Sequence, residues 1–545
     1  MAKYDTKDIR NVCFIGHGDS GKTTLADAVL FHLKASSRFG SIEDGSSVFD
    51  YDPDEKERRI SIDLAMAFAN FGEKMINLFD APGYPDFAGE AVSALAACET
   101  AVICINASSG IMVNTRKMWE RSEKFNVARV IMINKIDLEN VNYTALIDVI
   151  RETFGRECVP IIMPIGSGGG LKGVANIVES KDSVSEELKS LSDEAMEKLM
   201  EVDDKLLEKY LEGSKVSAAE LEAVLPRAIA ERRLVPILCA ASKNGVGVKE
   251  FVEFVSKYLP SPADVGARKG INPDKKENVS RETSPSAQFG GQVFKILSDP
   301  FVGKLSYIRI YSGTLDIANG IFNQRTGKTE RIGAMFKPFG KEQRTVQQAI
   351  AGDIVGVTKV EELSVSDTVC SHNAPIKYNE IAFPVPMVSL AAEPKAKGDE
   401  QRLSGSLQKM ADSDPTFKVT RDRQTLELVI TGMSQLHLDV VLNKLKRKYE
   451  VQLSTKTPKI AYKETITGAA EGHHKHKKQS GGRGQYGEVY IKLEPTARGE
   501  GFKFVDEIVQ GRIPNQYVPA VEKGIKEIFD KGVIAGYPVV DVQVT

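Results

Sequence analysis

Gly16-His17-Gly18-Asp19-Ser20-Gly21-Lys22-Thr23-Thr24 stands between an apolar run, Val12-Cys13-Phe14-Ile15, and an apolar-periodic run that starts at Leu25. This order predicts a strand, a glycine-rich loop and a helix N-terminus, the arrangement that cradles nucleotide phosphates. Gly16 and Gly21 let backbone N–H groups close around phosphate oxygens. Lys22 adds a cation at the β and γ phosphates, and the Thr23 hydroxyl reaches a magnesium ion.

Two further stretches complete a nucleotide site. Met75-Ile76-Asn77-Leu78-Phe79-Asp80 is a short apolar run that ends in a carboxylate and is followed by the turn Ala81-Pro82-Gly83. At a strand end, Asp80 can hold magnesium through water, and the Gly83 N–H can meet a γ-phosphate. Downstream, Val130-Ile131-Met132-Ile133 runs into Asn134-Lys135-Ile136-Asp137. The acceptor-only carboxylate of Asp137 suits the N1–H and 2-amino donors of guanine, a pair that adenine lacks. The three motifs occur in the order a guanine-nucleotide site requires.

The chain has 545 residues, 42% hydrophobic and 27% charged, which suits a soluble protein of three or four domains. Its 72 Lys and Arg nearly cancel 74 Asp and Glu, for a net charge of -2, so any polyanion-binding surface is local. Six cysteines, at 13, 98, 104, 158, 239 and 370, form no C-x-x-C pair and read as reduced, buried thiols in a cytoplasmic protein. The N-terminus lacks an apolar h-region, and the longest apolar region, Ala91 to Val113, is broken by Glu99 and Asn106, so neither a signal peptide nor a membrane span is expected.

The motifs resemble those of the translational GTPases, the family of elongation factors G and Tu. His17-Gly18-Asp19-Ser20-Gly21-Lys22-Thr23-Thr24 fits that family's H-x-D-x-G-K-T-T. Cys239-Ala240-Ala241-Ser242-Lys243-Asn244 is similar to its last guanine-contacting loop, with a loose match at Ala241 and Ser242. The resemblance implies GTP and GDP as ligands, magnesium as cofactor, and the ribosome as partner. Glu57-Arg58-Arg59-Ile60-Ser61-Ile62 resembles the first switch, E-R-G-I-T-I, so Ser61 takes the place of a magnesium-binding threonine and keeps its hydroxyl. Arg59 replaces a glycine, and a different switch path is expected there. Asp80-Ala81-Pro82-Gly83-Tyr84 resembles D-x-P-G-H, whose histidine orients the attacking water. Tyr84 is a phenol and carries no positive charge at neutral pH, so slow or differently triggered hydrolysis is expected, with Tyr84, Lys22 and Gly83 as the catalytic set.

Downstream, the charged stretch from Val174 to about Arg232 predicts helices, with Ala195, Leu199, Val202, Leu206, Leu207, Tyr210 and Leu211 on one apolar face. This stretch and Lys209-Tyr210-Leu211-Glu212-Gly213 resemble the insert of elongation factor G. The glycine run Gly166 to Gly170 reads as a flexible loop, because no Lys-Ser/Thr follows it. Ser261 to Ser286 reads as a linker. Alternating runs such as Gly291 to Ile296 and Lys304 to Tyr311 predict a small β-barrel, and Asp299-Pro300-Phe301-Val302-Gly303-Lys304 matches the family's second domain.

From Phe383 the pattern mixes strand and helix, and Gly432-Met433-Ser434-Gln435-Leu436-His437-Leu438-Asp439 resembles the third-domain signature G-M-G-E-L-H-L-E. His437 reads as a packed helix residue. Lys444, Lys446, Arg447 and Lys448 form a basic helix end, read equally as a solvated face, a dipole-matched terminus or an RNA contact. His473-His474-Lys475-His476-Lys477-Lys478-Gln479-Ser480-Gly481-Gly482-Arg483-Gly484-Gln485-Tyr486-Gly487 reads as a flexible basic arm on RNA phosphates rather than a metal site. It resembles the opening of the family's fourth domain, which enters the decoding site of tRNA and mRNA.

The expected fold is therefore multidomain α/β. It comprises a P-loop GTPase domain at 1–280 with a helical insert at about 174–232, a β-barrel domain at 288–378, an α+β domain at 382–460 and a partial α+β fourth domain at 461–545. The alternating run that reaches Thr545 without a turn suggests a C-terminally incomplete chain, and a monomer is expected. The expected function is GTP hydrolysis coupled to translocation on the ribosome. The alternatives are a GTP-gated ribosome-binding module with little turnover, or a recycling or protection paralogue.

Overall fold

The computed structural model describes residues 4–179, 184–212, 216–299, 303–395, 400–422, 424–479, 481–482 and 484–545. The chain divides into two compact units. The first holds Met1–Ser389, Glu393–Val419 and Ile430–Ser454; the second holds Leu390–Ala392, Thr420–Val429 and Thr455–Thr545.

The first unit is built on seven strands. They are β1 (Ile9–Gly16), β2 (Ala65–Phe71), β3 (Lys74–Asp80), β4 (Thr100–Asn106), β5 (Ala128–Asn134), β6 (Cys158–Pro160) and the strand Val235–Ala240. Their order is β2, β3, β1, β4, β5, Val235–Ala240, β6, and only the β2–β3 pair is antiparallel. Every residue of β1 is buried. A parallel strand covered on both faces has no polar side, which is why Val12 to Ile15 reads as a continuous apolar run. From β1 the sheet continues through β3 on one side and β4 on the other, and the crevice at their carboxyl ends receives the glycine-rich loop.

The region after β6 departs from its sequence reading. Val174 lies in a strand, Gly173–Asn176, paired with Ile162–Ile165. Gly168–Gly170 forms a 3-10 turn in the loop between these strands. The expected single apolar face is split between two helices, Lys189–Met200 and Asp204–Leu211, because Asp203 accepts the Lys205 and Leu206 N–H groups and starts a new helix. Tyr210 and Leu211 are exposed. A third helix, Ala218–Ala230, opens with a Ser217–Glu220 capping box. Gly213 lies outside the described residues.

Within the stretch 261–286, read as a linker, Arg268–Asn272 and Glu277–Arg281 pair as a hairpin. An eight-stranded antiparallel sheet follows, containing Gly290–Asp299 and Gly303–Ser312, and it surrounds a core that includes Val293, Ile308, Ile310, Val355 and Val369. Pro300, Phe301 and Val302 of the family-like turn lie outside the described residues. A buried polar tie joins this sheet to the nucleotide-binding sheet: Arg309 pairs with Glu99 at 2.6 Å, and Asn11 donates to Glu99 at 2.7 Å. Helices Glu400–Ser413 and Gln435–Tyr449 belong to the first unit as well. Ser434 caps the latter through the His437 N–H.

In the second unit, strands Ala470–Lys478, Gln485–Pro495, Val542–Val544 and Phe502–Phe504 form a sheet in that spatial order. Helix Val518–Lys531 packs Ile525 and Phe529 against Ile491, Leu493 and Phe502. The basic stretch is thus no flexible arm: residues 470–478 pair in register with 485–493 as a regular hairpin. His473 and His474 point to opposite faces of a strand, which removes them as joint metal ligands. Ser480 and Arg483 lie outside the described residues. All six cysteines are buried and unbridged. Among the described residues, no helix is long and apolar enough to cross a membrane.

Candidate nucleotide site

The loop 16–21 leaves the end of β1 and enters helix α1 (Lys22–His32), whose N-cap Gly21 has φ +81°. A Cβ at Gly21 would lie 2.3 Å from the Asn134 amide nitrogen, so both conformation and space require glycine. Lys22 is buried, and its Nζ donates to the His17 carbonyl at 2.8 Å. Ser20 closes the loop by donating to the same carbonyl, also at 2.8 Å. Ala81 and Pro82 are buried, and Thr24 is half-buried in the first turn of α1.

Oxygen ligands converge below the loop. Thr23 Oγ1 donates to Asp80 Oδ2 at 2.6 Å and lies 3.1 Å from Ser61 Oγ. Asp80 Oδ1 and Asp50 Oδ2 are buried without a hydrogen-bond partner. Burial, reinforced by the neighbouring Asp50, pushes the Asp80 carboxyl up to about 8. Burial likewise raises Asp50, and it pushes Asp27 up to about 6. Two buried carboxyl groups, Asp80 and Asp50, thus act on the buried Lys22, leaving a local deficit of positive charge. Among the described residues, no cluster of three His, Cys, Asp or Glu side chains is arranged to hold a metal. The donor set is instead two hydroxyls and a carboxylate with one unpartnered oxygen, hard ligands that fit magnesium.

The base-reading loops meet on the other side. Asn134 is buried, and its amide nitrogen donates to the Ser20 and Gly21 carbonyls at 3.2 Å. Its oxygen accepts from Lys135 N at 2.8 Å and from Ser242 N and Oγ at 3.1 and 2.8 Å. Asn134 therefore braces the phosphate loop against the 239–244 loop and spends its polar atoms within the protein. Lys135 pairs with Asp19 at 2.8 Å across the cleft mouth. Asp137 Oδ2 accepts from Asn244 Nδ2 at 2.7 Å, so a residue quoted only as part of a loop aims the base-reading carboxylate. Ala241 and Ser242 are buried behind it.

The two switch-like segments flank this cleft. Arg59 ends helix Pro53–Arg58 with φ 55° and ψ 39°, so it occupies the left-handed conformation that a glycine would take freely. The backbone at that residue keeps a glycine-like path, and the expected detour does not occur there. Glu55 accepts the N–H groups of Ile62 and Asp63, each at 3.0 Å, and so fixes the chain just after Ser61. Lys444 and Arg447 of the basic helix end are tied to acidic partners rather than left as a solvated face, while Lys446 is exposed. Lys444 Nζ meets both oxygens of Asp63 at 2.9 and 2.7 Å, and Arg447 bridges Asp52 and Asp54 at 2.7 and 2.8 Å.

His437 is packed, in line with its sequence reading. Its Nδ1 accepts from Met433 N and its Nε2 contacts Asp414 at 2.8 Å, with Phe87 edge-on at 6.1 Å. On the second switch, a Cβ on Gly83 would sit 2.4 Å from Lys22 Nζ and 2.7 Å from Gly18 N, so only glycine lets this turn touch the phosphate loop. Asn114 secures the turn by donating to the Gly83 carbonyl at 2.8 Å. Tyr84 precedes the 3-10 turn Pro85–Phe87, and its ring lies across Gly18, 3.2 Å from where a Cβ would stand.

All five sequence motifs line one cleft of about 480 Å³, with Gly18, Lys22, Ser61, Tyr84, Asp137 and Ser242 among its walls. Family models match the chain in the same order. The elongation factor Tu GTP binding domain matches residues 7–261, elongation factor G domain 2 matches 288–372, domain III matches 383–457 and domain IV matches 458–545. Elongation factor G of Dehalococcoides mccartyi is 36% identical over 560 aligned positions, covering 99% of this chain and 81% of that protein. The chain belongs to the elongation factor G family.

A solved structure from Thermus thermophilus agrees with this membership, with a TM-score of 0.86 and 33% identity over 99% of this chain and 80% of that one. The elongation factor G likeness thus extends over the nucleotide domain and the three regions that follow it. Sequence reasoning missed Asp50, Asn114 and Asn244. Asp50 sits in Phe49-Asp50-Tyr51-Asp52, where nothing in the pattern distinguishes the inward carboxylate from its neighbours.

Proposed function

We propose that this translation GTPase holds the triphosphate of GTP on Lys22 and the N–H groups of residues 16–24, and binds magnesium on Thr23 and Ser61 with Asp80 acting through water. When bound, magnesium neutralises charge on the β and γ oxygens. Asp137, aimed by Asn244, reads the N1–H and 2-amino group of guanine, and Asn134, Lys135, Ala241 and Ser242 hold the base pocket together. The observation that carries this reading is the convergence of Thr23, Ser61 and Asp80 beneath the loop with one buried oxygen unsatisfied.

In the reaction, water attacks the γ-phosphorus and the bond to the β-γ bridging oxygen breaks, giving GDP and phosphate. Gly83, held against Lys22 and Gly18, presents its N–H to the γ-phosphate, and the Tyr84 hydroxyl stands by the attacking water. A neutral phenol hydrogen-bonds that water without supplying positive charge, so hydrolysis is slow until the ribosome completes the site. Loss of the γ-phosphate frees Ser61 and with it the segment up to Asp63, the change that releases the factor. The protein works as a cytoplasmic monomer on the ribosome, next to tRNA and mRNA. Its functional division follows 1–280, 288–378, 382–460 and 461–545, with the insert at about 174–232.

Binding of a fluorescent GTP analogue across a magnesium titration tests this reading. Thr23→Ala and Ser61→Ala are expected to raise the magnesium needed for GTP at least tenfold, with Ser61→Ala leaving GDP binding nearly unchanged. Equal magnesium dependence in all three proteins would refute the ligand set.

A further inference from the structure

A cavity of about 630 Å³ in the first unit lies where helix Val113–Lys124 of the nucleotide domain faces the hairpin 268–281 and the segment 379–384 that leaves the barrel. Nothing in the GTP reaction uses it, and it is roomier than the nucleotide cleft of about 480 Å³. Arg121 and Lys124 reach it from the last turn of the helix, and Arg268 and Lys269 from the first strand of the hairpin. Its one carboxylate, Glu380, lies 3.5 Å from Lys377. Among the described residues, no carboxylate pairs with any of the four cations. Basic residues in a last helical turn complement the helix dipole, which accounts for Arg121 and Lys124. It does not account for Arg268 and Lys269, which bring like charge to the same cavity from a separate element at an electrostatic cost.

Arg121 Nη1 is buried without a hydrogen-bond partner. An unpaired buried donor costs free energy that an oxygen ligand recovers. The wall opposite is braced from within. Buried Tyr311 donates its hydroxyl to the Ala96 carbonyl at 3.1 Å, and buried Gln292 donates to the Asn379 carbonyl at 2.8 Å, tying down the outgoing segment. The Arg268 guanidinium lies over the Tyr311 ring, 4.6 Å from its centre. With Tyr311 on one side, the guanidinium plane offers its other face to a planar ring. Leu95, Phe125 and Phe383 add an apolar wall. The cavity thus combines unpaired cations for a multiply charged anion with a flat, partly apolar side for a ring.

We propose that this cavity is a second nucleotide site, which takes a nucleoside polyphosphate with its phosphates on Arg121, Lys124 and Lys269 and its base against Arg268. Bound there, the anion replaces repulsion between the two pairs of cations by attraction of both to one ligand, and so joins the nucleotide domain to the hairpin and barrel. The site is independent of the GTP cleft and of the reading given to it.

The test is calorimetric titration of ATP into the whole protein loaded with a fluorescent GDP, whose release is followed in parallel. ATP is the probe because Asp137 of the GTP cleft does not match adenine. One ATP per chain is expected to bind without releasing the fluorescent GDP. Arg121→Gln with Arg268→Gln is expected to weaken ATP at least tenfold. Lys124→Gln with Lys269→Gln, on exposed side chains, is expected to weaken it and flatten its salt dependence, with GDP affinity unchanged in both double variants. Inorganic triphosphate, which has no ring, is expected to bind at least fivefold more weakly than ATP. No binding up to about 1 mM ATP would overturn the site, as would unchanged affinity in both double variants or release of GDP in step with ATP binding. Equal affinity for inorganic triphosphate or for an octaglutamate peptide would overturn the nucleotide as its ligand. Failure to load GDP with ATP binding intact would count against the GTP cleft and not against this cavity.

Discussion

The contact between the third region and the first switch gives a quantitative prediction. Lys444 meets both Asp63 oxygens with only 10% of its own side chain exposed and 25% of that of Asp63. Burial alone would raise the Asp63 carboxyl, but the Lys444 and Lys295 charges pull it well below the ordinary range, and Lys444 is raised in turn. Replacing Lys444 with Met keeps the stem and removes the charge, leaving Asp63, two residues after Ser61, without its hydrogen-bonded partner and with only the charges of Lys295 and Lys448 nearby. Losing one partner of a fully buried pair costs about 3–5 kcal/mol, and the partial exposure here lowers that to about 2–3 kcal/mol.

Because the chain has several regions, a global melt would not isolate this effect, whereas amide hydrogen exchange reports local opening of residues 52–63. Lys444→Met is expected to accelerate exchange there by roughly 30- to 150-fold, since each 1.4 kcal/mol is about tenfold. Asp63→Asn in the Lys444→Met background is expected to recover most of the loss, because it removes the buried charge that has lost its hydrogen-bonded partner. Exchange within threefold of the parent in Lys444→Met, or no recovery in the double variant, would refute the claim that this pair fastens the switch.

Arg59→Gly relieves a left-handed side-chain conformation and is expected to slow exchange at residues 58–60 by up to about fivefold, worth about 1 kcal/mol, whereas Arg59→Val is expected to accelerate it. Asn244→Ala leaves Asp137 unaimed and is expected to weaken GDP about tenfold while changing inosine diphosphate, which lacks the 2-amino group, much less; calorimetry of both nucleotides checks this. Tyr84→His puts an ionisable imidazole at the water position and is expected to raise GTP hydrolysis at least tenfold in a phosphate-release assay. For Asp414, burial raises the carboxyl, but the contact with His437 and the hydrogen bonds from the Thr416 hydroxyl and N–H together outweigh it and leave it below the ordinary value. Its stabilising effect is therefore complete above about pH 4 and lost as the pH falls through the lowered value, and Asp414→Asn is expected to flatten that acid limb in a denaturation series.

The nucleotide site was legible because each of its parts is contiguous in sequence. The loop 16–24, the turn 80–84 and Asn134 to Asp137 are short motifs whose spacing is set by the ligand, and the sheet brings their ends together without further instruction. What was not legible depends on residues distant in the chain. Asn134 satisfies three loops at once, so its part as a brace appears only when Ser20, Gly21 and Ser242 surround it. The basic helix end at 444–448 carries no sign of its acidic partners, Asp52, Asp54 and Asp63, far earlier in the chain. The hairpin at 470–493 was hidden by composition: His, Lys and Gly suggest an unstructured arm, but Val489, Ile491 and Leu493 on the partner strand supply the apolar face that orders it. The helix break at Asp203 is a capping effect, and periodicity reads past it.

The most direct test of the central claim is the rate of GTP hydrolysis by the protein with and without purified ribosomes, at saturating GTP and magnesium. The account predicts a slow intrinsic rate that ribosomes raise by orders of magnitude, and a magnesium requirement for that stimulated rate that Thr23→Ala raises at least tenfold. Tight GTP binding with phosphate release unaffected by ribosomes would contradict it.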